Sequence, residues 1–285
     1  LDTKLKAKDW LTVGENIQIA LNDRDFVEEN NWYHGIVSRA ILADPITPVK
    51  DENGEFVPLV NGNGNPVARL DEGLMDQTSK NTKIVGNVFA EFSIIEGLKF
   101  KSTFGGEISL DEYKSYVPAY QFSVGDGNAS PQLFQNFGKN IYWQWENYLT
   151  YKKTIDIHDF TVMVGSSATL WEYYNLSGEN KVGPSNPSES LQYFDRFSRS
   201  GDVLGGEANH SAMYSLLGRA NYKLLDKYLI TATVRRDGSS TFGNDYKFGL
   251  FPSFAFAWKL KNEAFIEDIA LISDLKFRVG WGEIG

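Results

Sequence analysis

Cysteine is absent from all 285 residues. That excludes disulfides, thiolate metal sites and cysteine nucleophiles. Histidine is scarce: His34, His158 and His210 lie far apart, with no HExxH spacing to frame a metal centre. No run approaches the eighteen or so uncharged apolar residues of a membrane-spanning helix, which excludes that class as well. Basic charge is in deficit, since 28 Lys and Arg face 37 Asp and Glu for a net charge of −9. A nucleic-acid binder needs the opposite balance. Among the many carboxylates no pair forms a glycosidase dyad, so the residues point away from an enzyme and call for no cofactor. Asp51-Glu52-Asn53-Gly54 and Asn61-Gly62-Asn63-Gly64 lack the twelve-residue calcium pattern and read as turns.

Aromatic residues, by contrast, are plentiful, with 7 Trp, 14 Tyr and 19 Phe. They fall within a rhythm of period two. Between Lys83 and Leu110, the residues Ile84, Val88, Ala90, Phe92 and Ile94 share one parity. After a turn at Glu96-Gly97, Leu98, Phe100, Phe104, Ile108 and Leu110 share one parity too, while Lys99, Lys101, Thr103 and Glu107 take the other. Side chains in a strand alternate between faces, so each run has one apolar and one polar face. Two such strands joined by a tight turn form a hairpin.

The same alternation recurs along the chain and predicts about nine strands. The first spans Asp9 to Leu21, and the next two form the hairpin from Ile84 to Leu110. Others follow at Asn140 to Lys152, Phe160 to Leu170, Tyr214 to Leu224 and Tyr228 to Val234, then Phe248 to Leu260 and Leu275 to Trp281. Connections alternate between short turns and long polar excursions, the long ones at about 22–82, 111–138 and 172–211. Short turns at one end and long loops at the other are the pattern of an outer-membrane barrel, where one face meets lipid and the other water. The expected fold is therefore all-β, an antiparallel transmembrane β-barrel segment, with the long loops outside the cell. A soluble or surface β-rich module for glycan binding or adhesion is the alternative. Leu1 to Lys8 shows no signal-peptide pattern, and the chain ends at Trp281-Gly282-Glu283-Ile284-Gly285 within a strand pattern. Both features read as a piece of a longer polypeptide.

A motif sharpens this reading. Arg235-Arg236-Asp237-Gly238-Ser239-Ser240-Thr241-Phe242-Gly243, then Lys247-Phe248-Gly249-Leu250-Phe251-Pro252-Ser253 and Ala257-Trp258, resembles the late-barrel signature of SusC/RagA-type TonB-dependent transporters. The ending Leu275 to Gly285 is similar to that family's following strand, and Asp44-Pro45-Ile46-Thr47-Pro48-Val49 to one of its mid-barrel loops. Glu283 departs from the small or hydroxyl residue usual there. The resemblance implies part of a larger, 22-stranded outer-membrane barrel of a Bacteroidota-type Gram-negative bacterium, without the plug and TonB box. It also implies energisation by TonB, a SusD-like surface lipoprotein as lid, and oligosaccharide or peptide cargo.

Candidate contact residues follow from chemistry. Trp32, Tyr33, Tyr113, Tyr116, Tyr120, Phe122, Trp171, Tyr173, Tyr174, Tyr193 and Phe194 belong to the long excursions or their strand edges. Aromatic faces stack on sugar rings or anchor a partner, and their polar tips hydrogen-bond. Equally, such residues pack loops together or form a girdle at headgroup level. For the signature itself a structural role is expected of Arg236, Asp237, Gly238, Phe251, Pro252 and Trp258. Asp237-Gly238 is expected to form a tight turn with positive φ, and Arg236 to pair with Asp237.

Overall fold

The computed structural model describes residues 1–25, 35–60, 64–68, 70, 76–123, 126–183, 192–243 and 246–284. Its strands are β1 (Asp2–Lys8), β2 (Leu11–Asp25), β3 (Asp76–Ile95), β4 (Leu98–Val117), β5 (Tyr120–Ser123), β6 (Asp126–Asn128), β7 (Gln132–Ile155), β8 (His158–Asn180), β9 (Asp202–Leu224), β10 (Tyr228–Ser239), β11 (Phe248–Lys259) and β12 (Lys276–Gly282). Ten of them form one antiparallel sheet in the order β1-β2-β3-β4-β7-β8-β9-β10-β11-β12, and β5-β6 is a separate small hairpin. The strands of the large sheet thus stand side by side in chain order, with only the β5-β6 hairpin interposed in sequence. The sheet has one strand more than the nine expected, because Asp2–Lys8 pairs back onto β2 around a turn at Asp9-Trp10.

Register holds the faces apart. Leu11 stands opposite Phe92, Phe92 opposite Phe100, Phe100 opposite Leu149 and Leu149 opposite Val164. Directly opposed residues point the same way, so the apolar parity of each strand joins that of its neighbour. The result is a continuous apolar face whose side chains stand open: Phe104 is 49% exposed, Val164 51% and Trp281 60%. On β7 this face runs from Ile141 to Tyr151. At ~3.3 Å per residue and a tilt near 40°, that run spans about 25 Å, the height of the apolar band of a membrane barrel.

Surface area confirms the one-layer architecture. The chain exposes 18844 Å2, whereas a globular protein of its mass exposes about 12,000 Å2. Among the described residues no second layer covers either face of the sheet. Among the described residues no helix is long and apolar enough to cross a membrane.

The strands overshoot the membrane. β7 has 24 residues and β8 and β9 have 23 each, against 12 in β10 and β11. About ten residues suffice to cross the bilayer. The surplus lies at the long-connection end, so about half of each expected excursion, 111–138 and 172–211, is strand of the large sheet. Asp111 pairs with Gly138, for example, and Asn175 with Glu207. A compact cluster caps this extension: Tyr116, Leu133 and Phe197 are buried, with Phe194 packed against them. Phe194 and Phe197 belong to the connection 192–201, which makes two short 3-10 turns.

The connection from β2 to β3 holds a small folded unit. Its helix α1 (Ile36–Leu42) buries Arg39, which donates to the Gly64 carbonyl at 3.2 Å. Asp44 accepts from the backbone N–H groups of Ile46, Thr47 and Val60 and from the Thr47 hydroxyl. Asn65 donates to the Val49 and Val57 carbonyls.

The other end closes tightly. Positive φ occurs at Gly97, Asp156, Leu225 and Asp226, all in short turns. A β-carbon at Gly97 would meet the Lys152 carbonyl oxygen, so glycine is required there. Beyond β11, Glu263 collects three donors: Trp258 Nε1 at 2.9 Å, the Tyr228 hydroxyl at 2.8 Å and Lys227 Nζ at 3.0 Å. These donors, the Trp258 indole first, hold its carboxyl down at about 2.

Two tests follow. Phe104→Arg places a cation in the apolar band at a cost of roughly 2–4 kcal/mol, whereas Thr103→Arg, on the polar face, should be tolerated. Heat-modifiable mobility of the folded sheet on gels reads the difference, and equal tolerance at both positions refutes the face assignment. Glu263 has a depressed pKa, so its contribution is complete above the usual 4.5 and disappears as pH falls through about 2. Wild type should outlast Glu263→Gln in thermal unfolding at neutral pH, and the two should converge in that acid window.

Candidate functional site

The polar parity of the sheet forms a single wall, and several of its charges are paired. Lys99 meets Glu91 and Lys83 meets Glu107, both at 2.8 Å. Nearby hydroxyls serve carboxylate and amide acceptors: Tyr148 donates to Glu146 at 2.9 Å and Tyr142 to Gln144 at 2.7 Å. Lys101 lies over the Phe89 ring, 4.6 Å from its centroid. Such a surface is wet but neutralised, as a lumen wall at bilayer depth requires.

The expected contact residues divide between the faces. Tyr113, Trp171 and Tyr173 lie on the polar wall of the projecting strands. Trp171 and Tyr173 stack with centroids 6.1 Å apart and planes 3° apart, while Tyr113 meets Phe134 at 5.7 Å. Tyr174 takes the opposite parity and is 46% exposed. Tyr116 is fully buried beneath the cap cluster, where it packs the connection and touches no solvent. Tyr120 and Phe122 belong to the β5-β6 hairpin, and Tyr193, 58% exposed, precedes the first 3-10 turn beside Phe194. Trp32 and Tyr33 lie outside the described residues.

The signature residues make contacts other than those expected. Gly238 makes no turn: it is a paired strand residue opposite Tyr214 and Phe248, and its φ is not positive. A β-carbon there would strike the Phe248 ring, so glycine serves close packing on the apolar face. Asp237 pairs with Arg235 rather than Arg236, at 2.6 and 2.8 Å, because those two share a face. Arg235 also donates to the Ser215 hydroxyl at 3.0 Å. Arg236 points the other way and covers the Phe248 ring, 4.5 Å from its centroid. Phe251 lies over Gly249, Pro252 accepts from the Glu283 N–H at 3.0 Å, and Trp258 anchors Glu263.

Around Trp171 and Tyr173 stands a set of amides that period-two reading misses. Asn81 donates to the Ser109 hydroxyl at 2.9 Å and to Asp111 at 2.6 Å. Asn175 donates to Asn136 at 2.7 Å. Asn140 lies between Ser109 and Tyr173 in the register, and its buried Oδ1 has no hydrogen-bond partner among the described residues. Their signal was parity alone: each continues the polar face of a strand beyond the point where its apolar partners stop. Among the described residues no three His, Asp or Glu side chains stand close enough to hold a metal ion.

Known proteins share this architecture. The family model for the TonB dependent receptor-like β-barrel matches residues 44–285. The TonB-dependent receptor SusC of Bacteroides thetaiotaomicron is 33% identical over 230 residues, covering 79% of this chain and 21% of that protein. TonB-dependent receptor P39 of Formosa agariphila is 27% identical over 280 residues, covering 97% of this chain and 26% of that protein. The structure of the RagAB peptide transporter matches with a TM-score of 0.81 over 99% of this chain and 32% of that one, at 21% identity, which shows the shared fold. The chain thus spans about a quarter of the length of its curated relatives. With the barrel model matching most of its length, the chain belongs to the TonB-dependent receptor β-barrel family, and its signature and relatives place it with the SusC/RagA type.

Proposed function

We propose that this chain forms part of the wall of an outer-membrane importer in a Bacteroidota-type bacterium. The importer takes up an oligosaccharide or peptide nutrient, driven by TonB through the plug-bearing part of the protein. The observation that carries this reading is the two-faced sheet: one face apolar to bilayer height, the other a paired polar wall extended by aromatics and amides. A transport lumen needs both faces at once, and catalysis needs neither. The open apolar face also weighs against a soluble adhesion module, which would have to bury it.

In this reading the connections from β2 to β3, from β4 to β7 and from β8 to β9, together with the projecting strands, lie outside the cell, as long loops of such barrels do. A SusD-like lipoprotein then closes over them as a lid. The α1 unit offers it a surface, since Ile41, Ile46 and Val60 are 78%, 82% and 76% exposed on a folded scaffold. Exposed apolar side chains held rigid are what a protein partner buries.

Fractionation tests the localisation. The protein should require detergent and run as a heat-modifiable band, whereas a monodisperse protein in plain buffer overturns the membrane reading. Deleting the gene should abolish growth on one oligomeric nutrient. Ile41→Asp with Val60→Asp should lower lid co-purification about tenfold and leave the folded barrel intact. Unchanged lid retention rules out this surface as the dock.

A further inference from the structure

We propose that the outer end of β9, β10 and β11 carries, on the apolar face, a binding site for a phosphate-bearing lipid of the outer leaflet. The proposal rests on the outer-membrane reading and adds a ligand on the side of the sheet away from cargo.

Charge is the first observation. The signature sets two arginines next to each other in sequence and on opposite faces. Arg235 is satisfied on the polar wall by Asp237 and Ser215. Arg236 is not. It stands on the lipid face between Leu216 and Leu250, and its guanidinium lies 4.5 Å from the centroid of the Phe248 ring. Among the described residues it has no ion-pair or hydrogen-bond partner. A cation on a lipid face is costly unless an anion meets it, so an arginine there points to function.

Height decides which anion. Arg236 is eight residues beyond Tyr228, where β10 leaves the short turn, and β10 ends at Ser239. At ~3.3 Å per residue and a tilt near 40°, Arg236 stands about 20 Å above that turn. A long side chain at this level reaches the outer headgroups, where lipid phosphates lie.

Shape is the second observation. Beside Phe248 opens a hollow of about 350 Å3. Trp143, Leu170, Tyr214 and Phe248 rim it, and the small Ala168, Ala212 and Gly238 leave its space unfilled. A β-carbon at Gly238 would strike the Phe248 ring, so the glycine seats the ring on which Arg236 rests. Lys247 lines the same hollow, and among the described residues neither its ammonium nor the Tyr214 hydroxyl has a partner. A guanidinium fork takes two phosphate oxygens, an ammonium takes a third, and the apolar hollow takes a segment of acyl chain.

Carboxylates are kept away from this patch. Asp237 lies on the other face with Arg235. Glu172, opposite His210 on the lipid-face parity, is three rows of that face further out than Arg236. A free anion would have to leave water to reach Arg236, whereas a lipid already in the leaflet brings its phosphate to the edge of the band. The geometry therefore favours the lipid.

The test uses the full-length protein in a neutral detergent. Native mass spectrometry measures its adducts with monophosphoryl lipid A and with the same lipid dephosphorylated, each also in the presence of inorganic phosphate. The phosphorylated lipid should bind about tenfold more tightly. Arg236→Gln with Lys247→Gln should remove that preference, and Lys247→Gln alone, at an exposed position, should reduce it. Ala212→Leu, which fills the hollow and keeps both cations, should weaken binding of both lipid forms about tenfold. Lys139→Gln, an exposed lysine of the same parity on β7, should change nothing. Wild-type heat-modifiability in each variant separates ligand loss from misfolding. Equal binding of the two lipid forms, or a preference that survives in the double variant, overturns the site. Displacement of the lipid by an equal concentration of inorganic phosphate makes it a soluble-anion site and overturns the lipid assignment. Absence of the protein from the outer membrane overturns instead the reading on which the site rests.

Discussion

Everything in this structure depends on the register of one antiparallel ladder. Inside a bilayer no water is available to satisfy peptide N–H and C=O groups, so each must find a partner on a neighbouring strand. Once paired, the period of two leaves no freedom: a slip of one residue would send every side chain to the other face. The line from Leu11 through Phe92, Phe100, Leu149 and Val164 shows the constraint obeyed across consecutive strands. The lateral edges at β1 and β12 need further strands beside them, because an open edge is not tolerated in lipid. Stability here comes from lipid and hydrogen bonds rather than from a core, which explains how so few side chains are buried.

This also explains what the sequence disclosed and what it hid. Strand cores were legible because the alternation between Phe92 and Glu91, or Phe104 and Thr103, is imposed by two different solvents. Above the bilayer both faces meet water. There Asn175 and Tyr174 carry no contrast, the periodic signal vanishes, and paired strand looks like loop. Hence 111–138 and 172–211 read as excursions although about half of their residues pair in the large sheet. β1 escaped for a related reason, since its polar parity holds Lys4, Lys6 and Lys8 and its other parity only Thr3, Leu5 and Ala7, a weak contrast. The Asp237-Gly238 pair misled in another way. The dipeptide is a turn signal in isolation, but here the ladder partners Tyr214 and Phe248 override local preference, and the missing β-carbon serves ring packing instead.

The candidate site was half visible. Trp171, Tyr173 and Tyr113 stood out by chemistry, yet nothing in sequence separates them from Tyr174 and Tyr116, which the fold sends to the opposite face and to the cap cluster. Parity decides this, and parity was readable only by counting outward from the apolar band. Asn81, Asp111, Asn140 and Asn175 are close only across strands, from β3 to β8. No linear motif could join residues so far apart in the chain.

Placing the aromatic and amide wall on extended strands rather than on loops has a physical consequence. A loop pays conformational entropy each time it orders around a ligand, whereas a doubly paired strand has already lost that freedom on folding. The Trp171–Tyr173 stack sits on a strand paired on both sides, so its place in the sheet is set by two ladders. The same rigidity forbids the wall from closing over a ligand. Any change of shape must then come from elements that are not in the ladder, such as the connection carrying Phe194 and Phe197 or the α1 unit. What is fixed and what is free to vary is therefore decided by membership of the ladder, a direct outcome of building the wall from long, doubly paired strands.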